Sequence, residues 1–164
     1  MITSFKIRIV SLLCIVLSLQ SCDTINYQCT PTNFTVIKDS LGEKLVRQCS
    51  RPSPRGATQF FNLTENDINT LHKNFEKIYQ LKHAEEEFIP YAITDLKAYA
   101  YQYVGFVYKS TRYLYVNAFP IEFLNRQDWK RFPMVICDGG PHLWGIVFDM
   151  DTERFYNLYL NEQM

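Results

Sequence analysis

The sequence lacks an excess of charge of either sign, since 17 Lys and Arg residues balance 17 Asp and Glu residues over its 164 residues. Residues 1 to 21 contain two basic residues and no acidic one, so the remainder of the chain carries a net charge near −2. Neither value gives an electrostatic reason to bind nucleic acid or an acidic membrane surface through basic residues. We therefore expect no nucleic-acid partner.

Histidines and long apolar runs are also scarce. His72 and His83 show no zinc-ligand spacing, and we expect both at or near the surface, with no metal and no cofactor bound to the chain. After the N-terminal apolar run there is no second stretch of membrane length, no internal repeat and no low-complexity tract. The length suits one domain with an ordinary core.

The first 21 residues have the pattern of an export signal. Lys6 and Arg8 precede an apolar stretch over residues 9–19, which as a helix covers about half of a bilayer core and is too short for a comfortable span. The stretch ends in Leu19-Gln20-Ser21-Cys22. This motif resembles the processing site of a bacterial lipoprotein signal peptide, although Gln20 replaces the usual small residue.

The resemblance implies that Cys22 becomes the acylated first residue of the mature chain, carrying diacylglycerol and an amide-linked acyl chain such as palmitate. The diacylglycerol and the amide-linked chain together would hold the protein firmly on a membrane of the cell envelope, inner or outer, whereas a single acyl chain binds only marginally. We expect a signal peptide over residues 1–21, a polar tether over 22–33 and a single α+β domain over 34–164.

Three cysteines remain once Cys14 is removed with the signal and Cys22 carries lipid. In an oxidising compartment the simplest arrangement is one disulfide and one free thiol. We expect Cys29 to pair with Cys49, with Cys137 as a buried free thiol. A bridge between Cys49 and Cys137 is the competing arrangement.

The order of predicted elements indicates one amphipathic helix on a four- to five-stranded antiparallel sheet. A small N-terminal β-ribbon is predicted from strands at 34–38 and 44–49, and a loop at 50–59 follows it. The helix begins after Thr64 and presents Ile68, Leu71, Phe75 and Ile78 on one face. This α+β layer pair is similar to cystatin-like folds, an analogy that implies no function.

The remaining strands are predicted in two antiparallel hairpins and one single strand. Residues 99–108 and 113–119 form the first hairpin, residues 143–149 and 154–160 form the second, and residues 133–137 form a strand before it. Residues 121–132 are predicted to form a helical turn or a structured loop. With Ser110 and Thr111 as the turn, Tyr108 would face Tyr113 across the first hairpin.

One face of the first hairpin is unusually aromatic, and we expect it to be a binding face for a protein or glycan. Tyrosine combines apolar area with a hydroxyl that tolerates water, which suits such partners. The alternative is that the N-terminal ribbon or residues 121–132 cover this face. Its aromatic residues are Phe106, Tyr108, Tyr113, Tyr115 and Phe119.

Two other patterns could carry chemistry, although we expect no catalytic residues. Cys137 lies close to His142, which invites a thiol-nucleophile hypothesis, yet no oriented base or oxyanion site is visible. Asp149, Asp151 and Glu153 alternate as calcium ligands can, but the spacing of an EF-hand is missing and a hairpin turn is the stronger interpretation.

The C-terminal hairpin motifs are similar to those of small bacterial envelope lipoproteins with no assigned activity. These motifs are Cys137-Asp138-Gly139-Gly140, Trp144-Gly145-Ile146 and residues 149–155. The leading hypothesis is a non-enzymatic, lipid-anchored envelope protein that binds a protein or envelope polymer. The second is a periplasmic inhibitor or immunity protein against a secreted enzyme or toxin, and the third is a thiol-dependent enzyme at Cys137.

Overall fold

A computed structural model describes residues 30–52, 54–81, 93–125 and 128–162. These residues form an α+β fold around one mixed six-stranded sheet, which confirms the predicted fold class. The strands are β1 (Phe34–Val36), β2 (Gln59–Phe61), β3 (Tyr99–Tyr108), β4 (Thr111–Pro120), β5 (Trp144–Asp149) and β6 (Arg154–Leu160), and the α-helices are α1 (Gly42–Val46) and α2 (Glu65–Asn74).

Strands β3 to β6 follow one another as an antiparallel meander, so both predicted hairpins are confirmed. The turn between β3 and β4 is Lys109-Ser110, one residue earlier than predicted, and both of its residues have positive φ, 48° and 66°. Phe106 therefore lies opposite Tyr113, and Tyr108 lies opposite Thr111. The predicted pairing is wrong by two residues, but a shift of two keeps each side chain on its predicted face.

The outer edge of β3 is shared by two short strands. β1 pairs in parallel with residues 101–103 of β3, and β2 pairs antiparallel with residues 105–107. β2 begins at Gln59, the last residue of the segment predicted as a loop, and β1 makes the sheet mixed rather than antiparallel. The chain therefore pairs with this edge twice, and α1 lies between the two paired strands in the sequence.

The second strand of the predicted N-terminal ribbon does not exist. Residues 39–41 form a 3₁₀ helix that leads into α1, so the ribbon prediction is wrong. The helix is favoured because its apolar residues Leu45 and Val46 are buried against the sheet together with Ile37. An ion pair of 2.5 Å between Glu43 and Arg47, one turn apart, joins its ends.

Helix α2 begins where the sequence predicts it, after Thr64, but it ends at Asn74, before the predicted helical residues Phe75 and Ile78. The hydroxyl of Thr64 accepts a hydrogen bond from the backbone N–H of Asp67, and the Asp67 carboxylate accepts one from the backbone N–H of Thr64. Leu71, Phe75 and Ile78 are fully buried against one face of the β3–β4 hairpin. Beyond Asn74 the chain continues as a 3₁₀ helix over Phe75–Gln80.

Residues 133–137, predicted as a strand, have no regular secondary structure. The backbone of this segment forms hydrogen bonds with side chains of the sheet and of the segment after α1, and these replace the bonds that a neighbouring strand would provide. The segment before it contains a 3₁₀ helix over Ile121–Asn125 and a turn at 129–131, so its prediction as a structured connection is confirmed for the described residues.

Candidate functional site

The predicted aromatic binding face is mostly buried, so the prediction that it is a free surface is wrong. Phe106, Tyr115 and Phe119 retain 3%, 0% and 1% of their exposure, whereas Tyr108 and Tyr113 are half-buried. The rings of Phe106 and Tyr113 stack across the hairpin with their centroids 5.4 Å apart. These side chains act in the core rather than at an interface.

Both of the covering segments considered from the sequence contribute. The α1 region packs Leu45 and Val46 into the cluster that contains Phe106 and Tyr115. Trp129 lies with its ring centroid 6.0 Å from that of Phe119. The physical reason is that a sheet whose two faces are both apolar needs a layer on each side, and α2 covers only one.

The disulfide joins Cys49 to Cys137, with their Cα atoms 5.0 Å apart. The expected Cys29–Cys49 pair is therefore wrong, although the competing arrangement is the one observed; Cys29 itself lies outside the described residues. Burial of Arg51 and the hydrogen bond from Glu162 N–H to the Ser50 carbonyl bring this segment to the C-terminal part of the chain. Cys137 is exposed and has no free thiol, which removes the nucleophile hypothesis at this residue.

The carboxylates of the β5–β6 turn serve the backbone. One oxygen of Asp149 accepts hydrogen bonds from the N–H groups of Asp151 at 2.9 Å and Thr152 at 3.0 Å. This is the local bonding that favours aspartate in turns. The carboxylate of Glu153 instead accepts a hydrogen bond from Asn74 at the end of α2. The hairpin-turn interpretation is therefore confirmed.

A buried arginine organises the second face of the sheet. Arg51 is 6% exposed, and every partner of its guanidinium given by the structure is neutral. It donates to the hydroxyl of Tyr115 at 3.2 and 3.3 Å, to Oδ1 of Asn161 at 2.8 Å and to Oδ1 of Asn117. A Cβ at position 145 would overlap the Tyr115 hydroxyl, so Gly145 leaves the space that this network needs.

The same network continues into the irregular segment before the disulfide. Asn117 donates to the Met134 carbonyl at 3.0 Å and to Oε1 of Gln102 at 3.2 Å. Gln102 in turn donates to the carbonyls of Trp129 and Phe132. The adjoining void has no room for a water molecule. Arg51 and these amides therefore hold the structure together and do not form a ligand site.

His72 is buried, which corrects its predicted surface position. Its ring Nε2 lies 3.2 Å from the Tyr103 hydroxyl, and the Phe34 ring meets it edge-on with centroids 4.8 Å apart. Burial lowers the pKa of His72 below its ordinary value of 6.5 and raises the pKa of Tyr103 well above 10.0. This pair joins α2 to the sheet, and His83 lies outside the described residues.

A pocket of about 530 Å³ lies between α1 and the segment that leads into β2. Its volume falls within the range of small-molecule sites, roughly 300–1,000 Å³. It contains both apolar and charged side chains. The lining residues are Glu43, Val46, Arg47, Pro54, Arg55, Gly56, Ala57, Thr58, Gln59 and Phe60.

Close contacts hold the walls of the pocket in place. The ring of Phe60 packs on Gly42 in α1, where an added Cβ would overlap its ring atoms. Gly56, at a φ of 81°, sits against the ring of Tyr108. Thr58 donates both its backbone N–H and its hydroxyl to the Val107 carbonyl. The pocket is therefore formed before any ligand arrives.

The two arginines of the pocket differ in their surroundings. The Arg47 guanidinium is paired with Glu43 at 2.5 Å, so its charge is largely matched. The Arg55 guanidinium has no hydrogen-bond or ion-pair partner among the residues that the structure describes. The pocket thus presents one unmatched positive charge.

Sequence reasoning missed this pocket entirely. Residues 50–59 look like a linker because Pro52, Pro54 and Gly56 interrupt any periodicity. The only available signal was a pair of arginines, Arg47 and Arg55, on either side of that loop. Their convergence depends on α1 being a helix, and the predicted strand at 44–49 would have separated them.

The fold and the pocket together define an α+β protein with a preformed, positively charged surface pocket. Within the described part of the chain, none of the helices combines the length and apolarity needed to cross a bilayer. Comparison with models of known protein families, with curated proteins and with solved structures finds no match.

Proposed function

We propose that this chain is a non-enzymatic, lipid-anchored protein of the bacterial cell envelope that binds a protein or envelope polymer at the pocket between α1 and β2. The anchor rests on Cys22 and its lipoprotein-like motif. The observation that carries the binding function is the pocket itself, which is preformed, about 530 Å³ in volume and equipped with the unmatched Arg55 guanidinium.

The pocket replaces the aromatic sheet face as the binding site. Ligands need concave surface and polar groups without partners, and the buried rings of Phe106, Tyr115 and Phe119 offer neither. The packing of α2 on strands β3 to β6 supports the finer likeness to a cystatin-like layer pair, whereas the parallel β1 and the covering α1 depart from it.

Metabolic labelling tests the anchor. Cells that produce the full chain are grown with radioactive palmitate, and the chain is recovered from the membrane fraction. We expect label in the wild-type chain and none in Cys22→Ser, which should leave the membrane or accumulate as an unprocessed precursor. Equal labelling of the Cys22→Ser variant would overturn the assignment of Cys22.

Site-specific photocrosslinking tests the pocket in the cell envelope. A photoreactive phenylalanine analogue replaces Gln59, an exposed residue of the pocket, and the matched control carries it at Asn69, an exposed residue of α2. We expect an envelope adduct from position 59 that position 69 does not form. Adducts from both positions, or from neither, would contradict a binding role for the pocket, and an adduct with a secreted enzyme would favour the inhibitor class.

A further inference from the structure

The charges of the pocket select for a ligand with a single negative charge. One guanidinium, that of Arg55, has no counter-ion, while the carboxylate of Glu43 stands on the opposite wall next to Arg47. A planar guanidinium binds a carboxylate through two parallel hydrogen bonds. A dianion such as phosphate would meet the same guanidinium but would also be repelled by Glu43, so the site suits a carboxylate better.

The uncharged part of the pocket adds a second requirement. The half-buried ring of Phe60 offers apolar surface beside the hydroxyl of Thr58 and the amide of Gln59. A ligand that places a short apolar group next to its carboxylate would bury that group while its polar atoms meet these side chains. The end of a peptide chain and a sugar acid both have a carboxylate beside compact carbon groups.

We infer that this pocket binds a free carboxylate through Arg55, with the attached carbon group resting against Phe60. The inference rests on the proposed function and names the chemistry that the pocket recognises. The carboxylate of Glu43 disfavours ligands of higher negative charge.

The test is a titration of the purified full chain, kept in detergent, followed by two-dimensional ¹⁵N NMR. The probes are N-acetyl-alanyl-alanine, its C-terminal amide, glucuronate and inorganic phosphate. We expect the free-acid dipeptide or glucuronate to shift the backbone amide signals of Gly56, Ala57 and Thr58. The acid that shifts them identifies a peptide or a sugar source, and the dipeptide amide should bind roughly tenfold more weakly than the acid.

Two variants make the assignment specific. Arg55→Gln keeps the length and polarity of the side chain and should raise the dissociation constant roughly tenfold or more. Arg131→Gln is the matched control, because Arg131 is exposed on a different segment and pairs with Asp128. Its affinity for the acid should equal that of the wild type, and the amide spectra of both variants should show that they remain folded.

The outcomes separate this inference from the proposed function. Equal binding of acid and amide, stronger binding of phosphate, or unchanged affinity in Arg55→Gln would overturn the carboxylate assignment. If no probe shifts the signals while the photoadduct at position 59 persists, the carboxylate inference fails and the binding function stands. If the photoadduct is also absent, both fail.

Discussion

Arg51 is a charged side chain that the interior accepts without a carboxylate partner. Its hydrogen bonds to Tyr115, Asn117 and Asn161 compensate the guanidinium for the water it loses. Removing the arginine would leave three buried polar groups without their donor. The substitution is therefore expected to reduce stability mainly because buried acceptors lose their donor, rather than because a charge is lost.

We accordingly expect Arg51→Ala to lower the free energy of unfolding by about 3 kcal/mol or more, since each buried acceptor left without a donor costs about 1–3 kcal/mol. Urea unfolding monitored by tryptophan fluorescence measures the change. Arg131→Ala is the control, since the side chain of Arg131 is 76% exposed, and it should stay within about 0.5 kcal/mol of the wild type. Equal effects of the two substitutions would contradict the role assigned to Arg51.

His72 makes stability depend on pH. Its pKa in the fold lies below 6.5 because burial disfavours the charged ring, whereas the unfolded chain takes up a proton near 6.5. Below that pH the unfolded state binds more protons, so stability is present above 6.5 and falls as the pH drops toward the folded pKa, by at most about 1.4 kcal/mol per pH unit.

The matching experiment compares wild type with His72→Gln, which keeps a polar group near Tyr103 and does not titrate. Unfolding free energies at a pH of about 7.5 and about 5.5 bracket the window. We expect the wild type to lose more stability than the variant between these values. Asp67 does not interfere, because burial raises its pKa less than the bonds from Thr64 and the charge of Arg112 lower it, to below 3.8. Parallel profiles would refute the role of His72.

Short elements are where the sequence was least informative. The start of α2 is predictable because its cap at Thr64 and its apolar residue Leu71 are local signals, which Phe75 and Ile78 continue in the following 3₁₀ helix. α1 is not predictable, since one and a half turns give too few residues to separate helical from strand periodicity. β1 and β2, of three residues each, exist because β3 offers them an edge. Such pairing is set by tertiary context rather than by propensity.

The β3–β4 turn is strained by its own residues. Lys109 and Ser110 both adopt positive φ, a conformation that costs a residue with a side chain roughly 1 kcal/mol. The dipeptide Asn-Gly tolerates this conformation in this type of hairpin turn. We expect Lys109→Asn combined with Ser110→Gly to raise the melting temperature, through a gain of about 1 kcal/mol, as calorimetry can measure. Ser110→Ala is the control and should not stabilise, and a gain from that change instead would contradict this geometry.

For the whole molecule, the Cys49–Cys137 disulfide is the strongest single constraint. Its cysteines are 88 residues apart, both are exposed, and the bond closes a loop that includes α2 and strands β2, β3 and β4. The prediction chose Cys29 as the partner of Cys49 because these two cysteines are closer together in the sequence. The actual partner depends on how Arg51 and the meander bring the two ends of the fold together, which no local pattern reveals.

Cross-linking a loop of this length restricts the unfolded chain by roughly 4–5 kcal/mol in the chain-entropy model. We expect Cys49→Ser combined with Cys137→Ser to lose most of this amount while keeping the native circular dichroism spectrum, since exposed sulfurs contribute little packing. Urea unfolding of the oxidised wild type and of the double variant measures the difference, with reduced wild type as the control. A variant as stable as the oxidised protein would contradict this account.

The pairing of both β1 and β2 with the edge of β3 also affects the tendency of the protein to self-associate. Nearly the whole length of that edge is hydrogen-bonded within the chain. The opposite edge, β6, is interrupted by a bulge and by Asn157 at a φ of 55°, and Glu162, just beyond the strand, donates its N–H to the Ser50 carbonyl. A foreign strand finds no long, flat edge to extend, so this aromatic-rich sheet resists growth into fibrils.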